Sequence, residues 1–355
     1  MNEKYNKIAG SLIGGAIGDA LGYQIEFSRN IKEKQVTRFD KKGIISDDTQ
    51  MTLFTAVGLL WRETRLCTRG IAMMPADAIH LAYKDWLETQ TGIKNEEWSI
   101  SWIKDIPELN DRRAPGNTCL SALESGKMGK TDEPINNSKG CGSVMRVAPI
   151  GLYGNNPKIS GEVAAQTGAI THGHPLGIIP CYVMGNMLNT IVNKKTTIID
   201  ALNNALKDLK DYNKFDEENI NIFLTLVNKA VELSNENKSD IESISELGEG
   251  WVAEEAFAIA IYSCLKYKDS FEDTVVCAVN HDGDSDSTGS IAGNIIGASL
   301  GLKNIPNYYL EDLELKDTIL EIAHDLSIEI PVDEFSSNND DEWLDKYLYC
   351  KKKQK

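Results

Sequence analysis

Basic residues are scarce in this sequence. Its 355 residues include 37 Lys and Arg against 53 Asp and Glu, which gives a formal net charge of −16 at pH 7. Surfaces that bind nucleic acids or anionic membranes without sequence specificity carry an excess of Lys and Arg. We therefore expect neither a nucleic-acid partner nor a membrane partner, although a local basic pocket is compatible with this composition.

The sequence also lacks paired cysteines and long hydrophobic runs. Its seven cysteines are scattered, odd in number and never spaced as CxxC, which argues against a disulfide framework and against a zinc knuckle. No run of eighteen apolar residues predicts a membrane-spanning helix, and the N-terminal stretch lacks the layout of a signal peptide. These features predict a cytoplasmic protein, and we expect a monomer.

Strand-like alternation of apolar and polar residues is also rare in the sequence, and the stretches that show it are short. Helical periodicity dominates instead. It predicts a compact all-α domain with many helices over residues 1–330, followed at 331–355 by an acidic extension that is helical near Trp343 to Tyr349 and has a basic tail. Helices are predicted at 5–22, 48–62, 71–91, 160–193, 197–210, 217–235, 252–267, 271–280 and 287–302. Long loops are predicted at 23–46, 104–118, 130–142 and 236–251.

Glycine is abundant in two of the predicted helices, where it recurs at every fourth position. The two sets are Gly10, Gly14, Gly18 and Gly22, and Gly289, Gly293, Gly297 and Gly301. Four-residue spacing keeps each set near one helix face. Each glycine in a helix interior lowers the stability of the helix by about 1 kcal/mol relative to alanine. We therefore expect a favourable packing interaction that compensates this loss. We predict that the two helices lie in the centre of the protein and pack closely on each other, as small residues allow.

Two short acidic clusters stand at the predicted starts of core helices. The first is Ser46–Asp47–Asp48 in IISDDTQ, and the second is HDGDSDSTG, in which Asp284 and Asp286 precede a helix expected to begin near Ser287 or Thr288. Either cluster alone is well explained by helix capping. Taken together, their carboxylate and hydroxyl oxygens suit Mg²⁺, Mn²⁺ or Ca²⁺. Four such carboxylates can hold two divalent ions about 3.5–4 Å apart.

The D-x-D-x-D spacing that starts at Asp282 suggests an EF-hand, but that loop needs Gly at its sixth position and Glu at its twelfth. Those positions hold Ser287 and Gly293, so this calcium loop is excluded. A third acidic feature is GDALGYQIEF. We expect Asp19 to hydrogen-bond a nearby helix end, whereas Glu26 follows the helix and is the better candidate for a site carboxylate.

Six motifs follow one another in order along residues 7–302. They are GSLIGGAIGDALGYQIEF, ISDDTQMT, GCGSVMRVAPIG, THGHP, GWVAEEAFAIAIY and GDSDSTGSIAGNIIGA. Each is weak evidence alone, but in this order they resemble the ADP-ribosylglycohydrolases, also called ADP-ribosylhydrolases. The resemblance implies an all-α fold with a dinuclear Mg²⁺ or Mn²⁺ centre in a cleft. It also implies hydrolysis of the bond between the anomeric carbon of ADP-ribose and a protein side chain.

The resemblance also implies roles for individual residues. Glu26 is the first choice for acid/base chemistry or for positioning water, Asp47 and Asp284 belong to the catalytic set, and Asp111 is a weaker candidate that could equally cap a turn. Asp282 stands where the family commonly has Gly, and we predict that it is not a ligand. The implied metal ligands are Ser46, Asp47, Asp48, Asp284, Asp286 and Ser287. The implied contacts to the diphosphate and ribose are Gly116, Asn117, Thr118, Ser138, Lys139, Gly140, Cys141, Gly142 and His172.

The GDSDST and GCG motifs resemble most closely those of arginine-directed members. The preferred function is therefore hydrolysis of ADP-ribosylarginine, with an ADP-ribosylated protein as substrate and ADP-ribose as product. Two alternatives stay open: a catalytically silent member that binds ADP-ribose or is structural, and a two-metal nucleotide phosphohydrolase. Cys141 is not expected to be a nucleophile, and Arg146 is expected to pair with a buried carboxylate.

Overall fold

The computed structural model describes residues 2–26, 35–95, 98–334 and 340–351. Within these residues the chain forms sixteen α-helices and no strand, which confirms the predicted all-α fold; isolated bridges join Gly43 to Leu313 and Gly140 to Val252. The helices are α1 (Glu3–Tyr23), α2 (Asp47–Arg69), α3 (Pro75–Thr91), α4 (Asn117–Glu124), α5 (Ala148–Leu152), α6 (Pro157–Ala169), α7 (Pro175–Asn193), α8 (Ile198–Lys210), α9 (Glu217–Ser234), α10 (Asp240–Ser245), α11 (Ala253–Lys266), α12 (Phe271–Val279), α13 (Ser285–Leu300), α14 (Asn307–Asp312), α15 (Lys316–Ser327) and α16 (Asp341–Tyr347). Short 3-10 turns lie at Trp102–Asp105, Pro107–Asn110, Cys141–Ser143 and Leu302–Asn304.

The two glycine-rich helices, α1 and α13, pack directly on each other in the core, as the sequence predicts. A Cβ atom added to Gly10 would lie 2.3 Å from the carbonyl oxygen of Gly297, and one added to Gly14 would lie 2.3 Å from that of Gly293. The helices are therefore antiparallel, and their backbones approach too closely for any side chain between them. This contact supplies the gain that offsets the low helix propensity of the glycines.

Helix α7 forms part of the buried core. By length and composition it could cross a membrane, but 94% of its apolar window is buried inside the protein. A core helix meets the same criteria, so the feature is weak evidence for a membrane span.

The single helix predicted at 160–193 is wrong, because the structure has two helices, α6 and α7, separated by residues 170–174. Pro175 occupies the first turn of α7, and the Nδ1 atom of His174 accepts a hydrogen bond from the backbone N–H of Leu176. Proline suits a helix start and biases the residue before it towards an extended backbone. The THGHP motif is thus the boundary between the two helices.

Several other boundaries differ from the predicted ones. Helix α2 continues to Arg69, where Gly70 ends it with a φ of 60°, and α3 begins at Pro75 rather than at residue 71. Two short helices, α4 and α10, begin inside predicted loops, and the sequence periodicity does not predict α5, α14 or α15. Short helices gain little from intrinsic propensity and depend on tertiary packing.

The C-terminal helix α16 packs on the helices before it. Trp343 is buried, and its indole Nε1–H donates to the Thr64 hydroxyl at 2.8 Å. The hydroxyl of Tyr347 donates to Asp325 Oδ2 at 2.7 Å. Helix α16 overlaps the helical segment predicted near Trp343 to Tyr349 and begins two residues earlier, at Asp341. The end of the basic tail at 352–355 lies outside the described residues.

Candidate metal centre and ligand cavity

The starts of α2 and α13 meet near the C-terminal end of α1. Ser46 caps α2, and Asp284 caps α13, where its side chain accepts a hydrogen bond from the backbone N–H of Ser287. A Cβ atom on Gly22, in the last turn of α1, would lie 2.2 Å from the carbonyl oxygen of Ser285. The glycine contact therefore fixes the start of α13 beside the end of α1, and it brings together two clusters that are far apart in sequence.

Asp19 of α1 is hydrogen-bonded to the start of α2. Its carboxylate oxygens accept hydrogen bonds from the backbone N–H groups of Ser46, at 3.0 Å, and Thr49, at 3.1 Å, and from the Thr49 hydroxyl. The expectation that Asp19 bonds a nearby helix end is confirmed. A carboxylate is favourable at this end of a helix because the helix dipole is positive there.

Three carboxylates of the acidic site lie closest to one another. One ligand atom from each of Glu26, Asp284 and Asp286 lies within 4.8 Å of the other two. Asp47 and Asp48 line the same cavity, and the four aspartates are buried. The structure thus brings together the carboxylates of both predicted clusters with Glu26.

Burial and mutual repulsion both oppose ionisation of these carboxylates. Desolvation, followed by the charge of Asp286, raises the pKa of Glu26 to about 9. The same two causes, in the same order, raise the pKa values of Asp47, Asp48 and Asp284 well above the ordinary carboxyl range. A bound cation would reverse both effects, because it supplies the largest positive charge in such a site.

Two oxygens of the cluster lack hydrogen-bond partners among the described residues. They are Oε2 of Glu26 and Oδ1 of Asp48, and both are buried. A buried polar atom without a partner costs about 1–3 kcal/mol. Because the available donors are carboxylate and hydroxyl oxygens, the site fits a hard divalent cation of the Mg²⁺ or Mn²⁺ class.

The two serines implied as metal ligands are placed differently. Ser287 lines the cavity, in the first turn of α13. Ser46 is fully buried behind the cavity wall, and its Oγ atom accepts a hydrogen bond from the backbone N–H of Asp48 at 3.2 Å. Capping α2 is therefore the role of Ser46 in this structure, and metal ligation by its hydroxyl stays a prediction.

The carboxylates line one part of an open cavity of about 680 Å³. Cavities of about 300–1,000 Å³ are typical for small-molecule and cofactor ligands. Two glycine-containing loops, 114–118 and 140–142, line other parts of it. The predicted ligand contacts that line the cavity are Gly116, Asn117, Thr118, Gly140, Cys141, Gly142 and His172.

Each of these loops is bonded to one acidic cluster. The backbone N–H of Gly116 donates to Asp47 Oδ2 at 3.2 Å, and the Cys141 thiol donates to Asp284 Oδ2 at 2.6 Å. Loops that carry exposed backbone N–H groups can hold phosphate without adding net charge. The cavity combines a carboxylate cluster with two glycine-containing loops, and the N–H groups of Gly116 and Cys141 are already bonded within the protein.

Besides Ser46, three predicted site residues do not line the cavity. The Asp111 side chain is 65% exposed and forms an ion pair with Arg113 at 2.8 Å. Lys139 pairs with Glu254, and the Ser138 hydroxyl lies 3.1 Å from the Thr118 hydroxyl. Asp111 and Lys139 thus form ion pairs outside the cavity, whereas Ser138 contacts Thr118 of the cavity wall. Ligand contacts by these three side chains stay predictions.

The expectation that Arg146 pairs with a buried carboxylate is wrong. Arg146 is fully buried, and its guanidinium donates to the Thr171 hydroxyl at 2.6 Å and lies 3.2 Å from the Cys119 sulfur. Its Cζ atom is 4.5 Å from the centroid of the Tyr83 ring. Within the described residues no carboxylate forms an ion pair with it, so a cation–π contact and neutral acceptors take that place.

Sequence reasoning missed several residues of the cavity wall. Trp251 is the most conspicuous, because this large aromatic residue is 43% exposed and lines the cavity. Its backbone carbonyl accepts a hydrogen bond from the N–H of Cys141 at 3.2 Å, which brings it to the glycine loop. A tryptophan next to glycine in an exposed loop, as in GEGW, is the signal that could have indicated it. The other missed residues are Arg112, Ala114, Pro115, Cys119 and Met145.

Comparison with known proteins adds independent evidence. A family model described as ADP-ribosylglycohydrolase matches residues 1–334. The ADP-ribosyl-[dinitrogen reductase] glycohydrolase of Rhodospirillum rubrum is 24% identical over 329 residues, which cover 88% of this chain and 92% of that protein. ADP-ribosylarginine hydrolase Tri1 of Serratia proteamaculans is 24% identical over 352 residues, covering 94% of this chain and 82% of that protein.

A solved structure shares the fold. It is titled ADP-ribosylglycohydrolase-related protein complex, and it superposes with a TM-score of 0.66 at 23% sequence identity. The match covers 92% of this chain and 99% of that chain. It supports the all-α architecture over nearly the whole length.

Proposed function

The chain belongs to the ADP-ribosylglycohydrolase family, and from this premise we propose that it is a divalent-cation-dependent hydrolase that removes ADP-ribose from a modified protein side chain. The observation that carries the proposal is the cluster of Glu26, Asp284 and Asp286, whose ligand atoms lie within 4.8 Å of one another. This cluster borders a cavity of about 680 Å³ with two glycine-containing loops in its wall. A cation site beside an anion-binding wall suits a substrate that has both sugar hydroxyls and a diphosphate.

The carboxylates would hold the cations, and the loops would hold the ligand. Asp47, Asp48, Asp284 and Asp286 are the proposed ligands, together with the Ser287 hydroxyl. Bound Mg²⁺ or Mn²⁺ would polarise sugar oxygens and offset the carboxylate charge. The two glycine-containing loops, 114–118 and 140–142, would lie against the diphosphate, so that the anomeric carbon lies near Glu26.

Glu26 is the proposed acid/base residue. In the reaction, water adds its hydroxyl to the anomeric carbon, the bond from that carbon to the side-chain nitrogen breaks, and the nitrogen gains a proton. Glu26 is placed to exchange that proton, because its carboxyl group lies beside Asp284 and Asp286 at the cavity. In the cation-free protein, burial and the neighbouring carboxylates raise its pKa to about 9, and a bound cation would lower it towards neutral pH. Carboxylic acids with raised pKa values are the usual proton donors in glycosidic cleavage.

Arginine is the proposed acceptor side chain. The printed names of two relatives, from Serratia proteamaculans and Pseudomonas putida, describe ADP-ribosylarginine hydrolases. Five carboxylates line the cavity against one cationic side chain, that of Arg112. With the four aspartates assigned to the cations, Glu26 is the carboxylate left to hydrogen-bond a guanidinium leaving group, an interaction that a neutral serine would not match in strength.

The direct test is an assay of ADP-ribose release. The protein is incubated with an arginine-ADP-ribosylated target and with a serine-ADP-ribosylated one, in Mg²⁺ and in EDTA. We expect release from the arginine-linked target in Mg²⁺ only. Release from neither target, or release that EDTA does not reduce, would contradict the proposed hydrolase; release from serine alone would contradict only the arginine preference.

Two aspartates of the same loop provide a matched comparison. Asp284→Ala should abolish release, because it removes a ligand from the cluster. Asp282→Ala should retain release, because Asp282 is exposed and does not line the cavity. Equal loss of activity in both variants would show that the assignment of ligands is wrong.

A further inference from the structure

Arg146 is a cation buried behind the wall of the cavity. Its side chain is fully inaccessible to solvent, and it lies against the face of the Tyr83 ring. Among the described residues no carboxylate neutralises it, and one guanidinium nitrogen, Nε, is buried without a hydrogen-bond partner. A buried charge without a counter-ion is unfavourable, so its position suggests a role beyond packing.

Thr171 connects Arg146 to His172. The Thr171 Oγ1 atom lies 2.6 Å from Arg146 Nη2 and 2.8 Å from His172 Nδ1. A guanidinium can only donate hydrogen bonds, so the threonine oxygen accepts from Arg146. The same oxygen is then polarised by a positive charge, which makes its own proton a stronger donor.

The hydroxyl proton of Thr171 has two neighbouring acceptors. They are His172 Nδ1 and the sulfur of Cys119. A neutral imidazole nitrogen is a good acceptor, whereas a thiol sulfur is a weak one. The proton of Thr171 is therefore directed to Nδ1, which leaves that nitrogen without a proton of its own.

His172 is neutral at physiological pH. Burial, followed by the charge of Arg146, lowers its pKa to about 3. A neutral imidazole has one N–H, and when Nδ1 accepts a hydrogen bond, the proton lies on Nε2.

The Nε2 side of the ring faces the cavity wall. A Cβ atom added to Gly140 would lie 3.3 Å from His172 Nε2, and one added to Gly142 would lie 3.6 Å from it. His172, Gly140 and Gly142 all line the cavity. The absence of side chains at these glycines leaves a ligand atom room to reach the ring nitrogen.

We propose that Arg146 is a positioning residue which, through Thr171, holds His172 as the Nε2–H tautomer, so that the ring donates a hydrogen bond to an acceptor oxygen of the bound ligand. The identity of that ligand as ADP-ribose, with its ribose and phosphate oxygens, rests on the proposed function. The tautomer of His172 in the ligand-free protein does not depend on the proposed function. His172 thus provides a neutral donor of fixed orientation, and Arg146 and Thr171 determine that orientation without touching the ligand.

The tautomer can be measured directly by long-range ¹H–¹⁵N correlation NMR on the full-length protein at neutral pH. The chain has five histidines, so the His172 signals can be assigned from their loss in His172→Gln. We expect a protonated Nε2 and an unprotonated Nδ1 in the wild type. An Nδ1–H tautomer or a doubly protonated ring would overturn the inference.

Two substitutions at one position separate the hydroxyl from the volume of the side chain. Thr171→Val removes the hydroxyl and should yield a mixture of tautomers, with ADP-ribose affinity reduced roughly three- to tenfold, the effect of one hydrogen bond. Thr171→Ser keeps the hydroxyl and should retain both the tautomer and the affinity. Unchanged tautomer populations in a folded Thr171→Val variant would contradict the relay.

Thr190→Val is the matched control for loss of a buried hydroxyl. Thr190 is buried, and its hydroxyl donates within α7 to the carbonyl oxygen of Asn186 at 3.0 Å. This variant should leave both the His172 signals and the affinity unchanged. If the wild type shows the Nε2–H tautomer but binds no ADP-ribose, the proposed function is overturned and the assignment of the tautomer stands.

Discussion

Gly18 of α1 and Gly289 of α13 lie backbone to backbone. A Cβ atom at Gly18 would stand 1.9 Å from the carbonyl oxygen of Gly289, and one at Gly289 would stand 2.4 Å from that of Gly18. Neither residue can carry a side chain unless the two helices separate. The start of α13 carries Asp284 and Asp286, so this contact sets the geometry of the acidic cluster as well as the stability of the core.

Gly18→Ala is therefore expected to weaken both the fold and the metal centre. Inserting an extra methyl group into a well-packed core typically costs about 1–3 kcal/mol, and more where nothing can move aside. Because the added Cβ atom would meet backbone at 1.9 Å, we expect this cost to exceed the gain of about 1 kcal/mol from replacing a helical glycine with alanine. Urea unfolding should show the loss of stability, and a Mg²⁺ titration should show weaker binding in the fraction that stays folded.

Gly58→Ala is the control for helix propensity. Gly58 lies in the middle of α2, where an added Cβ atom would meet Ala82 Cβ and Ile79 Cα at 3.0 Å, with no contact closer than that. We expect a smaller change in the free energy of unfolding than for Gly18→Ala. Equal losses would indicate that the α1–α13 contact is no tighter than an ordinary helix contact.

Cation binding should stabilise the protein more at high pH than at low pH. Burial raises the pKa of Asp19 to about 7 and, with Asp286, that of Glu26 to about 9. Groups with raised folded-state pKa values contribute stability that is fully present below their unfolded pKa values and is lost as pH rises through the folded ones. The metal-free protein should thus lose stability as the pH rises from about 4, where these carboxyl groups ionise in the unfolded chain, to about 9, where the last of them ionises in the folded protein.

Thermal unfolding in EDTA and in saturating Mg²⁺ tests this linkage. Cations bind deprotonated carboxylates, so the difference in Tm between the two conditions should increase with pH. Comparing the two conditions at each pH reduces the contribution that groups outside the site make to the pH dependence of Tm. One such group is His281, because burial lowers its pKa to about 4. A difference that stays flat or shrinks as pH rises would contradict a carboxylate cation site.

Asp284→Asn should make the metal-free protein more stable while it removes cation binding. The pKa of Asp284 is raised by burial and by Asp286, which means that its ionised form is unfavourable in the fold. Asparagine keeps a side-chain oxygen that can accept the capping hydrogen bond of α13. Because asparagine does not ionise, the variant avoids the cost of the raised pKa of Asp284, and one pKa unit corresponds to about 1.4 kcal/mol. Chemical unfolding in EDTA should show this gain, and Mg²⁺ should no longer raise the Tm. The exposed neighbour provides the comparison, since Asp282→Asn should change neither quantity.

Glu26→Gln should separate proton transfer from cation binding. Loss of a general acid or base lowers kcat by about 10²- to 10⁴-fold, whereas glutamine keeps one carbonyl oxygen near Asp284 and Asp286. We expect a low kcat at every Mg²⁺ concentration, measured with an arginine-ADP-ribosylated target. Recovery of kcat at high Mg²⁺ would instead identify Glu26 as a cation ligand only.

The features that sequence predicted well are those with a local physical cause. Glycine at every fourth position predicts the α1–α13 contact, because only close approach offsets the low helix propensity. Capping residues predict the start of α2 at Ser46 to within one residue and that of α13 to within two or three. Asp19 illustrates the same principle, since a carboxylate in a core helix needs donors and finds them at the start of α2.

The features that sequence missed depend on tertiary placement. Arg146 lacks the expected carboxylate because a ring face and a hydroxyl surround it, and nothing in VMRVAP indicates those neighbours. Trp251 reaches the cavity through a backbone contact to Cys141, more than 100 residues away in sequence. The break between α6 and α7 is different, because Pro175 signals it and the long apolar periodicity on both sides obscured it.

The proposed cation site can be tested by locating Mn²⁺ in crystals of the protein by anomalous scattering. We expect a peak at bonding distance from carboxylate oxygens of Asp284 and Asp286, beside Glu26, and we expect it to disappear in Asp284→Asn. No peak at this cluster in crystals of protein that releases ADP-ribose in the presence of Mn²⁺ would contradict the proposed cation site.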